Sequence, residues 1–355
     1  SARQLMIGAL FESLKKPLLV VTHNMFQAQK IFEDLVDILG EEQVLLFPAN
    51  ELIISEMAIA SPETLANRIE VLNKISEKKQ QILVTPYAGL RRILLPQQIW
   101  KESQLSLRVG QEVSLEQLLQ NLVSTGYERV EMVEGKGQMS MRGGILDVYP
   151  ISSEFPVRIE LFDVMIDSIR YFDHTNQRSI RSLESIVIPP TNEVFGSVEI
   201  LQQTADRLQQ KMSETLLKVK DQAVKEKIVE KMGWEIEQLR HGNRFQGLYK
   251  YISLVYPNYQ NLLDYMPDET VVVVDEPTRV LEAVEQLDKE EAEWKTALLA
   301  EGEFAHQIAV SFPYEEVVNS KKSKIMYLAL FLRQVPRTAP QNIVGINCKT
   351  MQNFH

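Results

Sequence analysis

The alternation of apolar strands with amphipathic helices stops near Leu105 and returns near Val271, and this interruption constrains the fold more than any other feature of the chain. Before it, short apolar runs alternate with stretches whose apolar residues recur every three or four positions. The runs are 18–21, 44–47 and 82–84, and the helical stretches are 26–35 and 62–75. This alternation favours a parallel sheet flanked by helices, the arrangement of nucleotide-binding folds and of their inactive descendants.

The segment after Leu105 has the two-residue period of strands with one buried face. In residues 157–163, one face is apolar and the other carries two charges and a phenyl ring. The apolar set is Val157, Ile159 and Leu161, and the opposite set is Arg158, Glu160 and Phe162. A helix is predicted near 114–123, and Pro189 and Pro190 end the segment because proline interrupts helices and strand ladders. We therefore predict a β-rich α+β domain inserted into an α/β domain.

The domain boundaries follow from this pattern. Amphipathic helices are predicted over about 197–239, and the apolar run 271–274 then restores the strand-and-helix order. The predicted domains are 1–103 and 191–345 as the two parts of the α/β domain, with 104–190 as the insertion between them. A chain of 355 residues is long enough to bury the cores that this organisation requires.

Composition and charge argue against several classes of function. The net charge is −10, whereas nonspecific binding to duplex DNA depends on Lys and Arg that neutralise phosphates. No apolar run approaches the roughly 20 residues that span a bilayer, and no signal peptide is evident, so a cytoplasmic protein is expected. Cys348 is the single cysteine, and the five histidines lack metal-ligand spacing. We therefore expect no disulfide, no zinc site and no hydrolase triad, since a G-x-S-x-G motif is also missing.

Two short motifs have the form of a nucleotide-binding site. The first is Ser1, Ala2, Arg3 and Gln4, ahead of a predicted helix, and the second is Asp275 and Glu276, after the run 271–274. A P-loop ends in Gly-Lys-Ser/Thr at this place, and a Walker B strand ends in acidic residues that hold magnesium. The ordinary alternatives are the start of a helix and an apolar strand with an acidic end. Because Arg3 stands where a P-loop has lysine, the two motifs disagree, and we expect no catalysis.

A third candidate is the cluster formed by Arg142, Arg158, Glu160, Phe162 and Asp163. Arginine and exposed aromatic residues are enriched at binding hot spots, so an exposed Phe162 predicts a protein-docking surface. The alternative is a solvated strand face on which Arg158 and Glu160 pair with each other.

Three groups of motifs, spread along the chain, carry a resemblance to one family. They are Asn50-Glu-Leu-Ile to Ser61-Pro-Glu, then Arg142-Gly-Gly-Ile-Leu-Asp-Val-Tyr-Pro with Val157-Arg-Ile-Glu-Leu-Phe-Asp, and finally Leu262-Leu-Asp-Tyr-Met-Pro-Asp with Val-Val-Asp275-Glu276. From end to end, the chain resembles the N-terminal module of the transcription-repair coupling factors, which is similar to the excision-repair protein UvrB. The end of the chain, Met351-Gln-Asn-Phe-His355, resembles the point where that module continues into the rest of the parent protein.

The resemblance implies a RecA-like (P-loop NTPase-type) parallel-sheet domain in two parts, 1a and 1b, around an inserted domain 2, with 346–355 beginning a linker. It implies that domain 2 recruits the damage-recognition subunit UvrA through the positions Arg142, Arg158, Glu160, Phe162 and Asp163. RNA polymerase, duplex DNA, ATP and magnesium would be bound by other domains of the parent, an ATP-dependent translocase. We therefore expect this chain to be a monomer without a cofactor or catalysis of its own.

The chain departs from UvrB at two places. Arg3 and Gln4 stand where UvrB has its P-loop Lys and Ser/Thr, and arginine does not replace lysine at such a site. The Tyr-rich hairpin of UvrB would lie between Pro48 and Pro62, but that interval is short and contains no Tyr. Hydrolysis of nucleotide and detection of damage by base stacking are therefore not expected.

Three alternatives stay open. In the first, the chain is a UvrB-like ATPase that retains weak nucleotide use through Arg3, Asp275 and Glu276. In the second, it is a DNA-binding module, which its negative net charge disfavours. A third is that the docking surface is masked in the parent protein and is released when domains rearrange.

Overall fold

A computed structural model describes residues 2–50, 61–76, 80–319, 321, 323–330 and 342–345. Ser1, Cys348, most of the motif at 50–63 and the predicted linker 346–355 lie outside these residues. The first part of the chain forms α1 (Ala2–Leu14), β1 (Leu18–Thr22), α2 (Met25–Leu39), β2 (Val44–Leu46), α3 (Pro62–Ser76), β3 (Ile82–Pro86), α4 (Tyr87–Leu90) and α5 (Gln97–Ser103).

The middle of the chain forms a separate β-rich unit. Its elements are β4 (Leu105–Arg108), α6 (Leu115–Ser124), β5 (Glu128–Arg129), β6 (Gln138–Arg142), β7 (Ile145–Val148), β8 (Val157–Phe162), β9 (Met165–Phe172), β10 (Ser179–Leu183) and β11 (Ser185–Ile188). The spatial order of the larger sheet is β10-β9-β8-β7-β6-β5, and β4 pairs with β11 in a small second sheet. Val157 and Ile159 pack with α6 in one core, so the opposite face of β8 points away from it.

The last part of the chain returns to the strand-and-helix pattern. It forms α7 (Val198–Lys218), α8 (Gln222–Arg240), a 3-10 helix (Leu248–Tyr251), α9 (Ile252–Val255), α10 (Leu262–Tyr265), β12 (Val271–Asp275), α11 (Pro277–Ala300), α12 (Tyr314–Asn319) and β13 (Lys324–Leu328). Its two strands join those of the first part in one five-stranded sheet of order β13-β12-β1-β3-β2. Every neighbouring pair in this sheet is parallel.

Both faces of the parallel sheet are covered, which explains why its central strands are uniformly apolar. In β1, Leu18 and Val20 pack with α1 and α2, whereas Leu19 and Val21 face the larger core on the other side. The predicted class, an α/β unit with a parallel sheet and a separate β-rich sheet, is confirmed. Among the described residues, no helix combines the length and the apolar composition of a transmembrane segment.

A buried ion cluster holds the chain where it leaves the β-rich unit. Glu193, fully buried beyond β11, accepts hydrogen bonds from Arg92 Nη2 at 2.7 Å and from Arg68 Nη1 at 3.2 Å. The two arginines keep the pKa of Glu193 below its ordinary value although burial opposes this shift. One carboxylate thus joins this part of the chain to the α/β unit.

Candidate functional site

The outward face of the six-stranded sheet carries four of the residues predicted to dock a partner. Successive residues of β8 alternate between the core and this face, so Arg158, Glu160 and Phe162 all point outward. Arg142 lies on the same face, because it stands opposite Ile145, which in turn stands opposite Glu160. Phe162 is 81% exposed, and Phe26, on α2, is 76% exposed.

Two tight turns define one end of this face. Between β6 and β7, Gly143 has a φ of 59° and a Cβ on Gly144 would lie 2.6 Å from the carbonyl oxygen of Leu161. Between β8 and β9, Asp163 has a φ of 57°, which Asp tolerates better than most residues. The first turn therefore needs its glycine pair, and together the turns place Arg142 and Phe162 at the same end of the sheet.

Asp147 organises the arginines of this face. Its side chain is buried between β6 and β8 and accepts hydrogen bonds from Arg142 Nη2 at 2.9 Å, from Arg158 Nε at 2.7 Å and from Arg158 Nη2 at 2.8 Å. Arg158 also donates to Gln177 Oε1 at 2.7 Å, and its guanidinium lies 4.3 Å from the centroid of the Phe172 ring. One carboxylate therefore holds two guanidinium groups.

A second ion pair lies beside the first. Glu160 accepts hydrogen bonds from Arg170 Nη2 and from Ser168 Oγ, both on β9. The hydrogen bond from Arg170 is the main reason why the pKa of Glu160 falls to about 2. Arg158 and Glu160 thus pair with residues of neighbouring strands and not with each other, since cross-strand neighbours lie closer than residues two apart on one strand.

An apolar cluster completes this end of the face. Phe162 stands opposite Met165 across the turn, and Val164 lies within it. Met165 is 46% exposed and Val164 is 48% exposed. A compact group of exposed apolar side chains beside charged groups is the arrangement found at protein interfaces.

The residues of the predicted nucleotide site meet at the carboxyl ends of β1 and β12. Arg3 Nη1 donates to Asp275 Oδ1 and to Glu276 Oε1, both at 2.7 Å, and Gln27 Nε2 donates to Asp275 Oδ2 at 3.2 Å. Burial raises the pKa of Asp275, and the Arg3 guanidinium opposes this shift. Ala2 begins the helix beside this cluster and Gln4 is buried, whereas Ser1 lies outside the described residues.

The contacts with Arg3 bear on whether Asp275 and Glu276 could bind a metal ion. The carboxylates that would hold magnesium in a Walker B strand are already joined by a guanidinium group. Within the described part of the chain, no group of three or more His, Cys, Asp or Glu residues is placed to hold a metal ion.

Sequence reasoning missed Asp147 and Arg170. Asp147 carries the one charge in the apolar strand Ile145–Val148, and a charge in such a strand must be paired once it is buried. That signal was available in the sequence. Arg170 gave none, because its contact with Glu160 depends on the register of β8 and β9.

Comparisons with known proteins show which families the chain is similar to. Residues 105–194 match the family model described as the UvrB interaction domain. Over 100% of its length, the chain is 44% identical to the transcription-repair-coupling factor of Bacillus subtilis (strain 168), and it covers 30% of that protein. It is 29% identical to the proteins of the same name from Staphylococcus aureus (strain MRSA252) and Staphylococcus haemolyticus (strain JCSC1435), again covering 30% of each. The chain therefore spans less than a third of the length of these relatives.

Proposed function

We propose that the chain recruits UvrA for transcription-coupled nucleotide excision repair. The premise is that it resembles, along its whole length, the N-terminal UvrB-like module of transcription-repair coupling factors. The match of residues 105–194 to the UvrB interaction domain supports a docking role for the β-rich unit. Translocation on duplex DNA and contact with RNA polymerase would belong to the remainder of the parent protein.

The exposed phenyl ring of Phe162 is the single observation that supports a docking surface most strongly. A ring that is 81% exposed contributes little to a core, and it lies beside two other exposed apolar side chains, Val164 and Met165. Aromatic anchors of this kind fill pockets on partner proteins and dominate the binding free energy. Arg142, at the same end of the sheet, adds a charged contact that sets orientation and association rate.

Calorimetry of this chain with UvrA tests the proposal. Phe162→Ala should raise the Kd for UvrA about 5- to 150-fold, because the loss of an aromatic anchor costs about 1–3 kcal/mol. Its thermal unfolding should stay unchanged. Val187→Ala is the matched control, since Val187 is also exposed and apolar but lies on β11, in the separate small sheet.

Competition adds a second readout in the same assay. UvrB should displace the chain from UvrA if the two use the same type of surface. The docking role is wrong if the wild-type chain gives no binding heat with UvrA, or if Phe162→Ala and Val187→Ala bind equally well.

The α/β unit is proposed to be a RecA-like domain, 1a and 1b, whose nucleotide site no longer works. The contacts of Arg3 with Asp275 and Glu276 support this, since the guanidinium stands where magnesium and phosphate would need to be. Titration with Mg·ATP should therefore give no saturable heat. Saturable binding that disappears in Arg3→Gln would favour the alternative, a UvrB-like ATPase with residual nucleotide use.

A further inference from the structure

The two arginines predicted to dock a partner do not share one environment. The side chain of Arg142 is 46% exposed, whereas that of Arg158 is 13% exposed. Arg158 donates to both oxygens of Asp147 and to Gln177, and its guanidinium lies over the Phe172 ring. It is therefore committed to contacts within the domain and has little left to offer a partner.

Arg142 has the opposite character. Among the described residues, its guanidinium bonds only to Asp147, through Nη2. The Nε and Nη1 donors remain for other acceptors, and the planar guanidinium fixes their directions. The place of Arg142 beside the Gly143–Gly144 turn puts its guanidinium at the end of the sheet where the apolar cluster of Phe162, Val164 and Met165 lies.

Asp147 links these two environments. Its buried carboxylate is held from one side by Arg158, so it gives Arg142 a fixed anchor. Without that anchor, the long and half-exposed side chain of Arg142 would sample many rotamers, and a partner would have to order it on binding. Holding Arg142 in advance removes this entropic cost.

The balance of charge indicates what the partner presents. At Asp147, two guanidinium groups share one carboxylate, whereas Glu160 and Arg170 form a separate pair. Asp163 adds an exposed carboxylate in the neighbouring turn. An acidic group of the partner would thus be attracted to a position opposite Arg142 and repelled by Asp163 at a position opposite the turn.

We propose that Asp147 is the positioning residue of the docking surface, and that the bound surface of UvrA presents a carboxylate to Arg142 beside an apolar hollow for Phe162 and Met165. Asp147 acts through Arg142 and does not itself touch the partner. This inference rests on the proposed function, because the partner it describes is UvrA.

A double-mutant cycle measured by calorimetry with UvrA tests the inference on the whole chain. Asp147→Asn and Arg142→Gln should each weaken binding about tenfold, the effect of losing one charge-assisted hydrogen bond. The double variant should bind about as well as Arg142→Gln alone, since Asp147 has no role once Arg142 is gone. Additive losses would overturn the positioning role.

Glu193→Gln is the matched control for general destabilisation. Glu193 is also a buried carboxylate shared by two arginines, but it lies outside the docking surface. It should lower the melting temperature and leave the affinity for UvrA unchanged. If it weakens binding as much as Asp147→Asn, the effect of Asp147 is general and the inference fails.

Arg142→Lys keeps the test decisive if Asp147→Asn does not fold. A lysine keeps the charge but cannot bond to Asp147 and to a partner carboxylate through two edges of one planar group. Binding about tenfold weaker is expected, and unchanged affinity would overturn the inference. If the wild-type chain binds UvrA and Asp147→Asn binds with the same affinity, the inference is wrong but the proposed function stands. If the wild-type chain does not bind UvrA, the proposed function and the inference are both wrong.

Discussion

The molecule has two clusters in which arginine pairs with acidic residues, one on each sheet. In one cluster the arginines outnumber the carboxylates, and in the other the carboxylates outnumber the arginine. On the β-rich unit, Asp147 serves two guanidinium groups, and one of them stays half-exposed. At the carboxyl end of the parallel sheet, Arg3 serves two carboxylates, of which Asp275 is fully buried. The side chain of Arg142 is 46% exposed, whereas that of Arg3 is 23% exposed and bonds to both acids through one nitrogen, Nη1. The presence of an Arg-acid pair therefore does not by itself identify a binding site, and the proposal of a docking surface depends on the exposure of Arg142 and of its apolar neighbours.

The two clusters also lie in different surroundings. Beside Arg142 lies the exposed apolar group that includes Phe162, which supplies a hydrophobic contact once water is excluded. Arg3 instead joins positions 272 residues apart in the chain, and so holds the two parts of the α/β unit together. The same residue types thus lie on the proposed docking surface in one place and form an internal connection in the other.

The largest effect is expected at Arg158, whose side chain bonds within the domain, in contrast to the half-exposed Arg142. Arg158→Ala removes two of the hydrogen bonds to the buried Asp147, so it should lower the free energy of unfolding by about 3 kcal/mol. Urea unfolding measures this. Arg178→Ala, an exposed position of the same unit, should change the free energy of unfolding by less than about 0.5 kcal/mol. Equal stability of the two variants would show that Arg158 is a surface contact after all.

A smaller effect is expected at the other cluster. Arg3→Gln leaves Asp275 buried beside Glu276 without the guanidinium, and should lower the free energy of unfolding by about 2 kcal/mol near pH 7.5. The folded-state pKa of Asp275 is already raised, so protonation of this group favours the folded state. The loss of unfolding free energy caused by Arg3→Gln should therefore become smaller as the pH falls.

Urea unfolding of wild type and Arg3→Gln at several pH values measures this dependence. Lys30→Gln, an exposed position of α2, is the control for removing one positive charge. A loss that is independent of pH would contradict an electrostatic role for Arg3.

The smallest effect concerns Glu160, whose pKa is shifted in the opposite direction to that of Asp275. Its folded-state pKa is about 2, against an ordinary value of 4.5, because Arg170 donates a hydrogen bond to it. The stabilisation is present above pH 4.5 and is lost as the pH falls from 4.5 towards 2. Glu160→Gln should thus destabilise by less than about 1 kcal/mol at pH 7, since the pair is partly exposed to solvent.

The measurement is urea unfolding of wild type and Glu160→Gln at pH 7 and pH 3. Their difference in unfolding free energy should be smaller at pH 3. If it does not change between the two pH values, Glu160 is not held as a carboxylate by Arg170.

Part of the docking surface could be predicted from local pattern. The two-residue period of 157–163 placed Phe162 off the core face, because alternation along a strand is a property of the backbone itself. The assignment of five contact positions came from the resemblance and stays a prediction. The roles of those positions could not be separated from the sequence, since the partners of Arg158 and Glu160 depend on strand register.

The sequence by itself determined the class of fold, because the spacing of apolar residues reflects the local geometry of helices and strands. The domain boundaries stay predictions. Only the tertiary structure decided what the charged residues do. Asp147 meets Arg158 because the β7–β8 register sets them opposite each other, and Arg3 meets Asp275 across 272 positions because β1 and β12 are neighbours in the sheet. Local pattern predicts which face a side chain takes, but ion pairing depends on distances of a few ångströms that only the folded chain sets.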